Sequence, residues 1–381
     1  RFIKAATFEG RTPGGRVTND LIEFHRATSA GGVGVSTVAY LAVAPDGRTD
    51  RNVIVLRPSM VPELTRITEA IAAHGAVPAA QIGHAGPVAN AKSNGVPAYG
   101  PRRQFHPLSL KFIRAATRDD LRRIVENYRD AARVATDSGF KILEVHGGHH
   151  YLLSAFLSPF MNRRDDDYGG ALPNRVRLMR EVFTAVRDAV DPSVAITVKL
   201  NMTDGVKGGL TMEDSIATMK MLETDGTIDA IELTAGSSFA SPMYLFKGPA
   251  PLREFGRTLP WFLRPGFRLV GGKFMRDSEY HDGYFLDMAS NYLTETKLPV
   301  IALGGVSSIE SVNDAIARGF SFVAMGRALL AEPDLIDRWK RGDGARARCT
   351  HCNLCIPTIY TGTRCLEFDV PSHTITDSLP D

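Results

Sequence analysis

The sequence predicts an α/β chain folded as a (β/α)8 TIM barrel, with long capping βα-loops and a short Cys-rich C-terminal tail. Three observations carry that expectation. Eight short, apolar, β-rich runs alternate with eight amphipathic stretches along 381 residues, the pattern of parallel strands covered on both faces. Polar and glycine-containing segments gather directly after the runs, where a barrel presents its strand ends. No Gly-x-Gly-x-x-Gly follows a strand and opens a helix, which demotes a doubly wound open sheet.

The strands are expected at 2–7, 33–38, 77–83, 140–145, 194–200, 228–234, 300–304 and 322–326. Each is short and nearly continuously apolar, as a strand buried between barrel interior and helices requires. Helices are expected at 20–29, 61–74, 118–138, 172–189, 212–224, 280–295, 309–317 and 333–340. Asp119, Asp120 and the Thr211…Asp214 pair place acids or a hydroxyl at helix starts, and Gly319 follows a helix end. Two connections exceed plain loops. Residues 84–117 follow the third strand, and 235–279 follow the sixth with eight aromatic side chains. Such excursions sit at a barrel's catalytic face as lids, or fold over a satellite core of their own. The barrel is assigned to 1–345 and the tail to 346–381.

Composition narrows the function. Hydrophobic content of 44%, charged content of 23% and a net charge of +3 describe an ordinary globular protein with interleaved charges. They give no nucleic-acid footprint. No apolar run approaches the ~18 residues of a membrane span and no secretory signal opens the chain. A cytoplasmic enzyme with no nucleic-acid or membrane partner is expected, with homo-oligomerisation left open. Arg1 directly precedes the first run, so further N-terminal sequence is expected. All four cysteines lie between Cys349 and Cys365, which is no disulfide framework for this length.

The segment after the fourth strand carries the most chemistry: His146-x-x-His149-x-Tyr151. Two imidazoles and a phenol at a strand end grip one oxygen and supply one proton, the equipment for reducing a double bond beside a carbonyl. A zinc site needs a third protein ligand that the sequence does not identify. The last two strands end in Gly304-Gly305 and Gly326-Arg327. Glycines let backbone amides approach a phosphate, a helix start adds its dipole, and Arg327 adds a charge. Loops after barrel strands seven and eight are the habitual phosphate site.

Together with Phe-Leu-Ser-Pro, Asn-Arg-Arg-Asp and Tyr-Gly-Gly after Tyr151, these motifs resemble the old yellow enzyme family from Phe2 to about Trp339. The family comprises FMN-dependent ene-reductases and NADH:flavin oxidoreductases. The resemblance implies FMN across the barrel mouth, its phosphate at Gly304, Gly305, Gly326 and Arg327, with NADH or NADPH as reductant. It implies Ala5, Ala6 and Thr7 beneath the flavin, although many relatives have proline where Ala6 stands. Gln81 matches the glutamine on the pyrimidine, and Lys199 the basic residue beside flavin N1 and O2. A lysine ending an apolar strand also argues for a buried anion. His146 and His149 resemble the pair that holds the substrate's carbonyl oxygen, with Tyr151 the proton donor. Tyr40 stands at the cofactor and resembles the amine-binding bowl of related demethylases. His150 is given no role.

Cys349-x-x-Cys352-x-x-Cys355, then Cys365, is a compact four-thiolate set able to hold a 4Fe-4S cluster or zinc. It resembles the iron–sulfur 2,4-dienoyl-CoA reductase branch, with a shorter second gap. The expected function is NAD(P)H-driven reduction of activated C=C bonds in small-molecule α,β-unsaturated carbonyls. The alternatives are an iron–sulfur-linked flavin dehydrogenase or demethylase, a dienoyl-CoA reductase-like enzyme, and a non-catalytic flavin-binding barrel.

Overall fold

The computed structural model describes residues 1–107 and 109–368. The last part of the expected tail, 369–381, lies outside the described residues. The strands are β1 (Phe2–Lys4), β2 (Val35–Ala42), β3 (Val77–Gly83), β4 (Tyr99–Gly100), β5 (Gln104–His106), β6 (Lys111–Ala115), β7 (Ile142–Gly147), β8 (Ala195–Asn201), β9 (Ala230–Thr234), β10 (Val300–Ala302) and β11 (Phe322–Met325). Eight of them close a parallel barrel in the order β1-β11-β10-β9-β8-β7-β3-β2. This is the (β/α)8 TIM barrel that the alternating pattern predicts.

The register explains both what faces the helices and what fills the barrel. Lys199 pairs with His146 and Glu232, and Gln81 with Glu144. Side chains alternate across a strand. Leu143, Val145, Ile196, Val198, Leu200, Ile231 and Leu233 accordingly join the main core with the helices. A small interior cluster of Ile3, Ala5, Ala230, Ile301 and Ala324 fills the barrel itself. Above it the interior turns polar, with Gln81, Glu144, His146, Lys199 and Glu232 all buried.

The helices follow their caps. Arg118–Asp137 starts at a reciprocal capping box between Thr117 and Asp120, which satisfies two orphan amides. Its Leu121, Ile124, Tyr128 and Ala135 are fully buried, and each large side chain contributes about 1.5–3 kcal/mol. Thr211 accepts from the Asp214 amide, and Gly319 ends its helix at φ 108°. One expectation needs correction: of 280–295 only Leu286–Ser290 is α-helical. Gly283 adopts φ 62°, while the Tyr280 hydroxyl donates to the Gly305 carbonyl at 2.9 Å. That contact turns the segment toward the barrel mouth instead of into a helix. The first strand likewise ends at Lys4, and Ala5 to Thr7 run on as cavity wall.

Both excursions have internal structure. In 84–117, β4, β6 and β5 form a three-stranded sheet. In 235–279 lie the helices Pro242–Phe246, Leu252–Thr258 and Arg264–Phe274. Met243, Met275 and Ile356 are buried there against Phe246, Phe255, Phe267 and Phe274. The second excursion therefore has its own satellite core, to which Ile356 of the tail contributes.

Candidate active site

One cavity of about 240 Å³ opens where the barrel strands end. Ala5, Ala6, Thr7, Tyr40, Gln81, His146, His149, Tyr151, Lys199, Gly304, Gly305, Gly326 and Arg327 all line it. Residues just past the first strand, from the histidine turn and from the two glycine loops thus meet in one place.

The reactive corner is built at the end of β7. His146 and Tyr151 lie with ring centroids 4.2 Å apart, His146 and His149 at 5.1 Å, and Tyr40 and Tyr151 edge-on at 5.4 Å. The Tyr40 hydroxyl donates to the Gly47 carbonyl at 2.9 Å and so fixes its ring. The turn is strained: His149 and His150 hold φ of 59° and 60°, where non-glycine residues cost about 1–3 kcal/mol each. Buried bonds hold it in place. The His149 amide donates to Asn201 Oδ1 at 3.1 Å, and His150 Nε2 lies 3.0 Å from Asp204 Oδ2. Ser237 Oγ meets His150 Nδ1 at 2.7 Å. His150 therefore has a role that sequence reading left empty: it pins the histidine turn to the second excursion.

Burial sets the protonation of this corner. It holds His146 well below the ordinary imidazole range, with His149 and Lys199 adding repulsion. His149 is lowered to about 3, by burial first and then by Lys199. Both rings are neutral at pH 7. The Gly148 amide donates to His146 Nδ1 at 3.4 Å, which places that ring's proton on Nε2. His149 Nε2 lies 2.8 Å from Thr234 Oγ1; when the hydroxyl donates, Nδ1–H is the free donor. Burial raises the Tyr151 phenol, which keeps its proton.

A stability prediction follows. These imidazoles have folded pKa values below their unfolded value near 6.5, so their contribution is present above that pH and lost as pH falls. We expect each to cost about 1.4 kcal/mol per pH unit below about 6.5, down to about 3 for His149. Urea midpoints measured from pH 7 to 4 check this, with His149→Asn flattening the slope.

Lys199 requires a correction. Its burial does not need a cofactor anion, because Nζ lies 2.7 Å from Glu144 Oε2 and also contacts Glu232. Glu144 Oε1 in turn accepts from Gln81 Nε2 at 2.9 Å, which leaves the Gln81 carbonyl free as an acceptor. Nothing in the spacing of the motifs marks these carboxylates. Their signal is an acid at an alternate position inside each of two apolar runs.

At the opposite end the chain forms a cradle. Gly304 and Gly305 adopt φ of 105° and 79°. A Cβ would fall 2.5 Å from Phe285 Cδ2 at the first and 2.6 Å from Tyr284 Cδ1 at the second. Among the described residues the buried Thr7 Oγ1 has no hydrogen-bond partner. Arg327 donates to the Phe246 carbonyl and to Asn353 Oδ1, each at 2.5 Å. A left-handed glycine loop, an orphaned hydroxyl and a guanidinium suit a phosphate-bearing aromatic cofactor. Gly304→Ala must both adopt this φ and displace Phe285, at about 1–3 kcal/mol. A lower melting temperature and reduced flavin content after purification are expected.

The tail closes the cavity. His351, Cys355, Ile356, Ile359 and Thr363 line it, none of them expected there. His351 stacks on Tyr280 with centroids 3.7 Å apart and meets Ser307 Oγ at 3.3 Å. Its place between Cys349 and Cys352 was the available signal. The four cysteines are free thiols around a second cavity of about 20 Å³, which Arg327 also lines. Burial pushes the Cys355 thiol up to about 12. Among the described residues no three His, Cys, Asp or Glu approach as a metal-ligand group.

Fold and site together define a flavin-binding barrel oxidoreductase. Residues 1–238 match the NADH:flavin oxidoreductase / NADH oxidase family. The 4,4'-dithiodibutanoate disulfide reductase of Rhodococcus erythropolis is 44% identical over 369 residues, 97% of this chain and 92% of that protein. A 2-naphthoyl-CoA reductase in complex with 2-naphthoyl-CoA superposes with a TM-score of 0.80 at 25% identity, covering 96% of this chain and 54% of the other. The chain thus spans about half that reductase's length. The old yellow enzyme homologue of Zymomonas mobilis shares the fold, with a TM-score of 0.72 at 19% identity over 96% of each chain. The chain belongs to the NADH:flavin oxidoreductase / NADH oxidase family, an oxidoreductase that works with FMN and NAD(P)H.

Proposed function

We propose that this enzyme uses NAD(P)H to reduce the C=C bond of a small α,β-unsaturated carbonyl compound. The observation that carries the reading is the buried corner where two imidazoles and a phenol line one cavity, with burial favouring the neutral form of each. FMN, when bound, supplies the hydride chemistry. Gln81, Lys199, Tyr40 and Ala5 to Thr7 would hold its ring, and Gly304, Gly305, Gly326 and Arg327 would take its phosphate. His146 Nε2–H and His149 Nδ1–H donate to the substrate's carbonyl oxygen as negative charge grows there. Each such donor contributes about 2.7–4 kcal/mol to the transition state. Tyr151 delivers its proton to the α-carbon. The paired charges at Lys199 leave the cavity floor polar and fixed, so little reorganisation accompanies the reaction.

Similarity to the disulfide reductase favours a second reading, cleavage of a small organic disulfide. One S–S bond takes two electrons and two protons and becomes two thiols. Anaerobic stopped-flow mixing separates the readings: enzyme reduced by NADPH is exposed to 2-cyclohexenone in one arm and 4,4'-dithiodibutanoate in the other. Rapid reoxidation by the enone is expected, and reoxidation by the disulfide alone would overturn the first reading. For Cys349, Cys352, Cys355 and Cys365 we propose an iron–sulfur centre, with zinc as the alternative. All four thiols line one cavity, although they are not drawn together there as a ligand group, and iron and sulfide assays on anaerobically purified protein decide it.

A further inference from the structure

The two excursions carry a surface that the redox chemistry does not use. Leu269 is 83% exposed, Trp261 79%, Val270 55% and Phe262 46%. Phe105 and Phe112 on the first excursion are about half exposed as well. Large apolar side chains this far from the core are unusual unless something covers them. Their surroundings say what. Residues 252–276 hold six Lys or Arg and one acid, Glu254, and 99–117 hold four and none. The whole chain is only +3, so its remainder is net negative and the positive charge is concentrated here. All six cations of 252–276 are exposed.

The two segments form one rim. Lys92 Nζ lies 5.9 Å from the Phe262 ring, His106 and Phe239 stand 6.0 Å apart, and Phe239 packs with Ile113. Ser238, Leu245 and Phe246 of the second excursion also wall the cavity. The rim therefore borders the cavity on the side of the second excursion.

We infer that this rim docks on an anionic membrane surface, so that the cavity opens toward the bilayer. Exposed Trp, Phe and Leu set among Lys and Arg have the composition of interfacial segments. The apolar groups enter the headgroup boundary while the cations meet lipid phosphates. An acidic protein would match the charge, yet Trp261 and Leu269 would each need a shaped pocket on it. A bilayer accepts both without one. The expected absence of a membrane partner rested on the lack of a span, and among the described residues no helix is long and apolar enough to cross. Peripheral docking needs none.

The test uses the FMN-loaded full chain and its intrinsic fluorescence. The chain's two tryptophans are Trp261 and Trp339, and Trp339 packs on Phe2 at the opposite end of the barrel. In a Trp339→Phe background, phosphatidylglycerol vesicles are expected to shift Trp261 emission to the blue and to sediment the protein. Phosphatidylcholine vesicles are not, and added salt should release it. Arg264→Glu with Arg268→Glu should weaken partitioning on the order of tenfold or more. Leu269→Ser should weaken it too, with flavin content and NADPH turnover without vesicles unchanged. Absence of binding to phosphatidylglycerol, or binding indifferent to charge reversal, overturns the proposal. So does a dimer in sedimentation velocity that Trp261→Ser abolishes, since that assigns the rim to a second copy.

Discussion

Tyr151→Phe is expected to slow alkene reduction on the order of 10²- to 10⁴-fold while leaving reduction of the enzyme by NAD(P)H nearly unchanged. The Tyr151 hydroxyl makes no hydrogen bond to the described residues, although its ring is packed between His146 and Tyr40. Removing one oxygen thus deletes a proton donor and little else. Burial holds the phenol protonated at neutral pH, as a general acid must be. The variant also separates the two proposed substrates. A carbon centre cannot complete its reduction without a proton, whereas a thiolate, the base of an acid with pKa about 8.5, departs as a stable anion and takes its proton from solvent afterwards. Disulfide turnover should fall far less than enone turnover. The two half-reactions are timed separately by stopped flow, and equal slowing of both would remove Tyr151 from the proton-donor role.

How much of this was legible beforehand differs by residue. The barrel was readable because burial on two faces demands near-continuous apolar runs, and those are visible in one dimension. The cavity residues were readable because barrel chemistry collects at strand ends, so His146, His149, Gly304 and Arg327 sit where apolar runs stop. Interior pairings were not. Glu144 and Glu232 lie in different strands from Lys199, and only register across β7, β8 and β9 brings the three together. Pairing is a relation between segments, and no local spacing encodes it. The same holds for the tail: Ile356 and His351 reach the cavity over a chain distance that hydrophobic period cannot measure. The 280–295 segment failed for a local reason, a left-handed Gly283 inside an otherwise helical pattern.

Lys199→Met is expected to destabilise the fold by about 3–5 kcal/mol, the cost of removing one partner from a buried charge cluster. Glu144 and Glu232 would then share the barrel interior without a cation, where water cannot screen them. Burial first and then Glu144 already hold the Glu232 carboxyl above its usual range, even with Lys199 in place. Without Lys199 the Glu232 carboxyl rises further. A group whose folded pKa exceeds its unfolded value contributes stability that is full at low pH and lost as pH rises through the folded value. The variant should therefore be much closer to the parent at pH 5 than at pH 8, measured as urea midpoints. Adding Glu232→Gln should recover a large part of the loss at pH 8, because one of the unpaired charges is gone while the volume stays. Glu144→Gln should recover less, since that carboxylate also anchors Gln81. A Lys199→Met protein equally weakened at both pH values, and unrescued by Glu232→Gln, would assign the cost to lost packing instead of unpaired charge.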